Sequence, residues 1–232
     1  MNALKTDPAD NRPRIVGIGA GGHALSIVDA LQSREDWSIV GLTDADVNRH
    51  GRLVLGCPVL GSDAVLPELF GRGVTHAFIG VGGASNNRPR AAIFARLIAL
   101  GFALPPIVHC TAIVAPSATL KAGAHVMAGA IVNALATIGR NTIVNTGAIV
   151  EHECQIGDHV HIGPGARLGG AVIVGEAAHI GLGATVRQGQ TIGARAIVAA
   201  GAVVVTDVPP DTTFAGVPAR MLRADPEAGA GC

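Results

Sequence analysis

The chain has 232 residues, no net formal charge, 15 % charged and 49 % hydrophobic residues, five Phe, one Trp and no Tyr. So sparse a set of cations excludes nucleic acid as a main partner, because phosphate binding needs clustered Lys and Arg. Cys57, Cys110, Cys154 and Cys232 lack metal-site spacing and read as reduced thiols of a cytoplasmic protein. Residues 1–13 have no apolar core of a secretion signal, and the apolar stretch near Leu97–Val108, broken by Pro105 and Pro106, is too short to span a membrane.

In chain order, the pattern predicts a strand over Arg14–Ile18, a helix over Ala24–Ser33, strands over Ser38–Thr43 and near Ala77–Val81, and a helix over Arg88–Leu100. Strand and helix alternate, which implies a small parallel α/β domain over residues 12–105. Gly19-Ala-Gly-Gly-His23-Ala24 lies between the first strand and the first helix. There, backbone N–H groups and the helix dipole can hold a phosphate. Asp44 ends the second strand, where a carboxylate can accept a ribose hydroxyl. A tight structural turn explains the same glycines. Position 24 is alanine, so the full dinucleotide fingerprint is missing and an NAD enzyme is disfavoured.

Beyond residue 106 every sixth residue from Val108 to Val204 is aliphatic, seventeen in succession. Two residues before them stand mostly alanines, such as Ala130, Ala148 and Ala166, and glycine often follows, as at Gly139, Gly163 and Gly181. Glycine there is expected to supply turn dihedrals that a side chain forbids. A six-residue period matches neither an α-helix nor a flat strand. It is the mark of a solenoid with one short strand and one turn per hexad. The aliphatics stack inward, so chemistry must sit on the outside. The repeat occupies residues 106–222, and residues 223–232 read as a flexible tail.

His125, His152, His159, His161 and His179 fall on or near the repeat. His152 stands two residues after inward Val150, at a turn, between Glu151 and Glu153. It is either a general base near neutral pH or a surface histidine between solvated acids. Asn133 and Glu151 are 18 residues apart and should hydrogen-bond one coil apart. His161 and His179 share a column with His125, yet no H-x4-H pair occurs and no metal is expected.

The repeat resembles the left-handed β-helix of hexapeptide-repeat acyltransferases, three hexads to an 18-residue coil, and Phe214-Ala-Gly-Val-Pro-Ala-Arg220 resembles the tail after their last coil. GAGGHA together with NTGAIVEHEC resembles more narrowly the sugar O-acyltransferase and nucleotide-sugar N-acetyltransferase group, over roughly residues 14–221. The resemblance implies a Rossmann-like N-terminal domain, a homotrimer, and acetyl-CoA lying between adjacent β-helices as co-substrate. It implies His152 as proton acceptor, tuned by Glu153, with Asn145 near the acceptor or acyl group and the Gly170 N–H at the oxyanion. It places His161 near the thioester carbonyl, Leu182 and Ala200 along the CoA groove, and Gly21, Gly22, His23, Asp44 and Ala45 around the nucleotide. The stretch Gly82-Gly-Ala-Ser-Asn86 departs from the group's shorter IGxN loop. The expected reaction is N-acetylation of the 4-amino group of a nucleotide-linked sugar in polysaccharide biosynthesis. The alternatives are O-acetylation of sialic acid or another sugar, a metal hydratase, or a non-catalytic binding module.

Overall fold

The structure, a computed structural model, describes residues 11–83 and 86–224. Ala84 and Ser85 of the glycine-containing loop, Cys232 and most of the expected tail lie outside the described residues.

The first part is a five-stranded sheet of β1 (Arg14–Ile18), β2 (Ser38–Thr43), β3 (Leu53–Val54), β4 (Cys57–Gly61) and β5 (His76–Ile79), in the order β3-β4-β2-β1-β5. All pairs are parallel except the β3–β4 hairpin. β1 lies between β2 and β5, and its Ile15, Val16 and Ile18 are buried, because helices cover both faces of the sheet. On one face Ile27, Val28 and Leu31 of α1 (Gly22–Gln32) pack. On the other lie Leu66 and Leu69 of α2 (Leu66–Gly71), with Phe94 and Leu97 of α3 (Arg88–Ala99). The hairpin and α2 are additions to the sequence expectation. The two residues of β3 and six of α2 are too short to display a period.

The second part is a left-handed parallel β-helix of two-residue strands stacked in three parallel sheets. Register between coils is 18 residues: Ile131 lies beside Ile113 and Ile149, Thr137 beside Thr119 and Gln155, and Ile143 beside His125 and His161. The second residue of each strand points inward and forms one continuous ladder with the alanine column. Each buried Val or Ile contributes roughly 1.5–3 kcal/mol before entropy is subtracted. The first residue points outward and gives each face its character. One face carries Ile113, Ile131 and Ile149, a second Thr119, Thr137 and Thr191, and a third His125, His161 and His179. We call them the isoleucine, threonine and histidine faces. Strands Thr212–Ala215 and Arg220–Ala224 close the histidine face as an antiparallel hairpin.

The glycine expectation needs correction. Glycines directly after the inward aliphatic do not have positive φ; left-handed backbone falls two residues later, at Gly147 (φ 64), Leu135 (φ 60), Glu153 (φ 61) and Ala171 (φ 55). The glycines are set by space instead: a Cβ on Gly181 would lie 2.5 Å from the backbone nitrogen of Ala200 in the next coil. The α/β part sits on the histidine face, where Ile107 and Met127 of the β-helix join its core.

Candidate active site

His152 sits in the turn between the strands Ile149–Val150 and Gln155–Ile156, on the edge joining the isoleucine and threonine faces. Its side chain is exposed, and Nδ1 lies 3.0 Å from Glu153 Oε2. A carboxylate can only accept, so Nδ1 carries a hydrogen, and in the neutral ring the lone pair is on Nε2. Glu153 reaches this place from a left-handed backbone, φ 61. One coil on, Gly170 lies directly against the ring: a Cβ there would fall 2.5 Å from His152 Cε1 and 2.6 Å from Nε2. The His152 carbonyl accepts from Ala171 N–H at 2.8 Å and the Gly170 carbonyl from Gly189 N–H at 2.9 Å. Among the described residues the Gly170 N–H has no acceptor. The edge thus offers a base nitrogen and a free donor side by side.

An open groove of about 710 Å³ runs beside them on the isoleucine face, lined by Ile149, Glu151, Arg167, Gly169, Thr185 and Gln188 among others. Glu151 accepts from Asn133 Nδ2 at 2.9 Å, as the 18-residue spacing predicts. Asn145 lies on the next edge, between the histidine and isoleucine faces, and its Oδ1 accepts from Thr146 N–H at 2.8 Å. Exposed Leu182 and Ala200 stack one coil apart on that same edge.

In the α/β part, Asp44 Oδ2 accepts from Ala20 N–H at 2.7 Å and Oδ1 from Asp46 N–H at 2.9 Å. The carboxylate therefore shapes the glycine turn. Gly21 is the N-cap of α1 without a side-chain cap, and no atom lies within 4 Å of a Cβ built on Gly21 or Gly22. The open first turn leaves backbone donors for an anion. Exposed Ala45 borders it, and a cavity of about 330 Å³ lined by Ala20, Asp46, Asn48, Arg49 and Arg52 adjoins it.

His23 turns away from the glycines toward the β-helix, where its Nε2 is 3.4 Å from His125 Nδ1. Burial, then the charges of Arg90 and His161, push its pKa down to about 3. His161 stacks on His179 with ring centroids 4.9 Å apart and lies beneath Gly83, whose Cβ would be 2.8 Å from His161 Nδ1. Burial, then His179 and Arg90, bring it down to about 3 as well. Burial thus favours the neutral form of both rings.

Within one chain the expected residues thus form three groups. His152, Glu153 and Gly170 share one edge; Asn145, Leu182 and Ala200 share another. His161, on the histidine face beneath the α/β part, lies with His23 and the glycine turn. Sequence reasoning missed Arg90 and Asn87 and took His125 only as a member of the histidine column; all three join the two parts. Their signal is present: Arg90, Phe94 and Leu97 share one helical stripe, and an arginine on a buried stripe is out of place. Among the described residues no group of three or more His, Cys, Asp or Glu is arranged to hold a metal, and no helix is long and apolar enough to cross a membrane.

The PglD N-terminal domain family matches residues 14–97, and the bacterial transferase hexapeptide family (six repeats) matches residues 135–170. A crystal structure of a His-to-Asn variant of perosamine N-acetyltransferase from Caulobacter crescentus, in complex with CoA and GDP-perosamine, is 41 % identical with a TM-score of 0.85, over 90 % of this chain and 96 % of that one. The chain belongs to the hexapeptide-repeat sugar acyltransferase family. This acyltransferase is also similar to the acetyltransferase domain of PglB from Neisseria gonorrhoeae, solved with acetyl coenzyme A: 36 % identity, TM-score 0.83, 91 % of this chain and 100 % of that one. WeeI from Acinetobacter baumannii is 26 % identical with a TM-score of 0.77, over 90 % and 100 % of the two chains. Among curated protein sequences none matches the chain.

Proposed function

We propose that this acyltransferase moves an acetyl group from acetyl-CoA to the 4-amino group of a nucleotide-linked sugar, in the cytoplasm, for polysaccharide biosynthesis. The observation that carries this reading is the 41 % identity, over nearly the whole chain, to an enzyme solved with CoA and GDP-perosamine. The edge geometry supports it. His152 Nε2 takes a proton from the amine, whose nitrogen attacks the thioester carbon. The carbonyl oxygen, now negative, accepts from the Gly170 N–H. Collapse breaks the C–S bond, and His152 passes the amine's proton on to the departing CoA sulfur. Glu153 holds the imidazole in the tautomer this requires.

In this reading residues 12–105 bind the nucleotide sugar, with Gly21, Gly22, His23, Asp44 and Ala45 around the nucleotide. Residues 106–222 carry the acyl transfer. His161 and Asn145 serve the acetyl end, and Leu182 and Ala200 line the CoA groove. The three groups meet between copies of a homotrimer. The outward row Ile113, Ile131, Ile149 and Val203, with Ile113 62 % exposed, supports such a contact. The test is a panel of UDP-, GDP- and dTDP-linked 4-amino sugars with acetyl-CoA, followed by thiol release. Turnover of one nucleotide-linked amine supports the assignment. Turnover of free sugar hydroxyls alone, with no nucleotide sugar accepted, overturns it.

A further inference from the structure

Arg90 is the largest fully buried side chain among the described residues, 2 % exposed. Its partners among those residues include no carboxylate. Its Nε donates to the Asn141 carbonyl at 3.2 Å, and one terminal nitrogen donates to the carbonyls of Ile79 (2.7 Å) and Val81 (2.8 Å). The other terminal nitrogen is 3.3 Å from His125 Nδ1. Burial brings its pKa down to about 9. A leucine or methionine would continue the Phe94–Leu97 stripe without burying a charge, so packing alone does not call for a guanidinium here.

The groups it holds explain it. Ile79 ends β5, and Val81 opens the segment that packs on the glycine turn. A Cβ on Gly19 would lie 2.8 Å from the Val81 side chain, and one on Gly80 would lie 2.6 Å from the Gly19 carbonyl oxygen. Gly82 then rests on His23, and Gly83 on His161. Asn141 and His125, the other two partners, belong to the β-helix. One turn before Arg90, Asn87 donates to the carbonyls of Ala177 and Ala178, both at 3.2 Å, and Asn141 Nδ2 returns a bond to the Arg90 carbonyl at 3.3 Å. A planar fork with several fixed donors can bridge strand end and β-helix in this way; an ammonium reaches fewer of them.

We propose that Arg90 is a positioning residue for the nucleotide-sugar half of the reaction: it pins the Ile79–Gly83 segment to the β-helix and so fixes the glycine turn and His23 without touching either substrate. This rests on the nucleotide-sugar reading above for its kinetic consequence, but not for its structural one.

The experiment compares Arg90→Met, Arg90→Lys and Asn87→Ala with the parent enzyme in two measurements. In steady-state kinetics with both substrates varied, Arg90→Met raises KM for the nucleotide sugar about tenfold or more, while kcat and KM for acetyl-CoA stay within about twofold. Arg90→Lys recovers part of the loss, and Asn87→Ala shows the same split at about threefold. Without substrate, hydrogen exchange at Gly80, whose N–H donates to Ile18 at 2.7 Å, and at neighbouring Val81–Gly83 speeds up about tenfold in Arg90→Met, with the distant β-helix coils unchanged. Unchanged exchange overturns the proposal whatever the substrate is, as does an equal fall for both substrates. If Arg90→Met fails to fold, Asn87→Ala decides, and the absence there of both a split and faster exchange overturns the proposal. Should the parent enzyme accept no nucleotide sugar, the functional reading falls, and exchange alone decides the role of Arg90.

Discussion

The imidazole of His152 rests on the backbone of Gly170 so closely that a Cβ at residue 170 would sit 2.5 Å from Cε1. The 18-residue coil produces this contact: the two residues occupy the same corner position, and only a bare Cα leaves room for a ring to lie across it. Base and donor are therefore positioned by the repeat itself rather than by a dedicated loop.

Gly170→Ala should push the imidazole off the coil without disturbing the aliphatic ladder, because His152 is exposed. We expect kcat to fall about 10–100-fold, somewhat less than full loss of an oxyanion donor, with Tm within a few degrees of the parent. Steady-state thiol release and a thermal melt check it; a parent-like kcat removes the contact from the mechanism.

Glu153 combines a left-handed backbone with a carboxylate on His152. Glu153→Gly relieves the first and removes the second. Stability should rise by roughly 0.5–1 kcal/mol, since a side chain at positive φ costs about 1–2 kcal/mol and glycine gives back part of this in entropy. Activity should fall about 5–50-fold. Urea melts and kcat together test this, and a variant that gains or loses both would show that strain and chemistry are not separated here.

Low pH should weaken the joint between the two parts. His23 and His161 are held down to about 3, and His125 well below its ordinary value, chiefly by burial and then by neighbouring charge. Once unfolded, each returns to about 6.5. Above that pH neither state binds the proton and stability is flat. Between about 6.5 and 3 the unfolded chain binds protons the folded one refuses, so stability falls with pH, at most about 1.4 kcal/mol per unit per histidine. Asp158 is held below its ordinary value and weakens the fold in the same direction only at still lower pH. Thermal melts from pH 8 to 4.5 should show a steady loss below about 6.5 that His125→Gln reduces. A Tm independent of pH from 7 to 5 would contradict the neutral cluster.

Much of this architecture is legible in the residues alone. The six-residue period from Val108 to Val204 dictates an inward ladder, so the β-helix and the turn location of His152 follow from spacing. The Asn133–Glu151 bond follows from the coil length. The reason for the glycine column does not, because a period reveals that a position is small but not whether dihedral freedom or crowding demands it. Nor does the partition of the site onto separate edges and faces. Which edge a residue occupies depends on its phase within 18 residues, and family likeness gathers the residues without that phase. Arg90 escapes such reading because its worth lies in carbonyls of β5 and of the β-helix, brought together only by the tertiary fold.

The most direct test of the mechanism is kcat of His152→Ala for N-acetylation of the best nucleotide-linked amino sugar at saturating acetyl-CoA. If Nε2 accepts the amine proton, kcat falls about 10²–10⁴-fold, as loss of a general base should, while KM for acetyl-CoA changes little. A kcat within about threefold of the parent would contradict it.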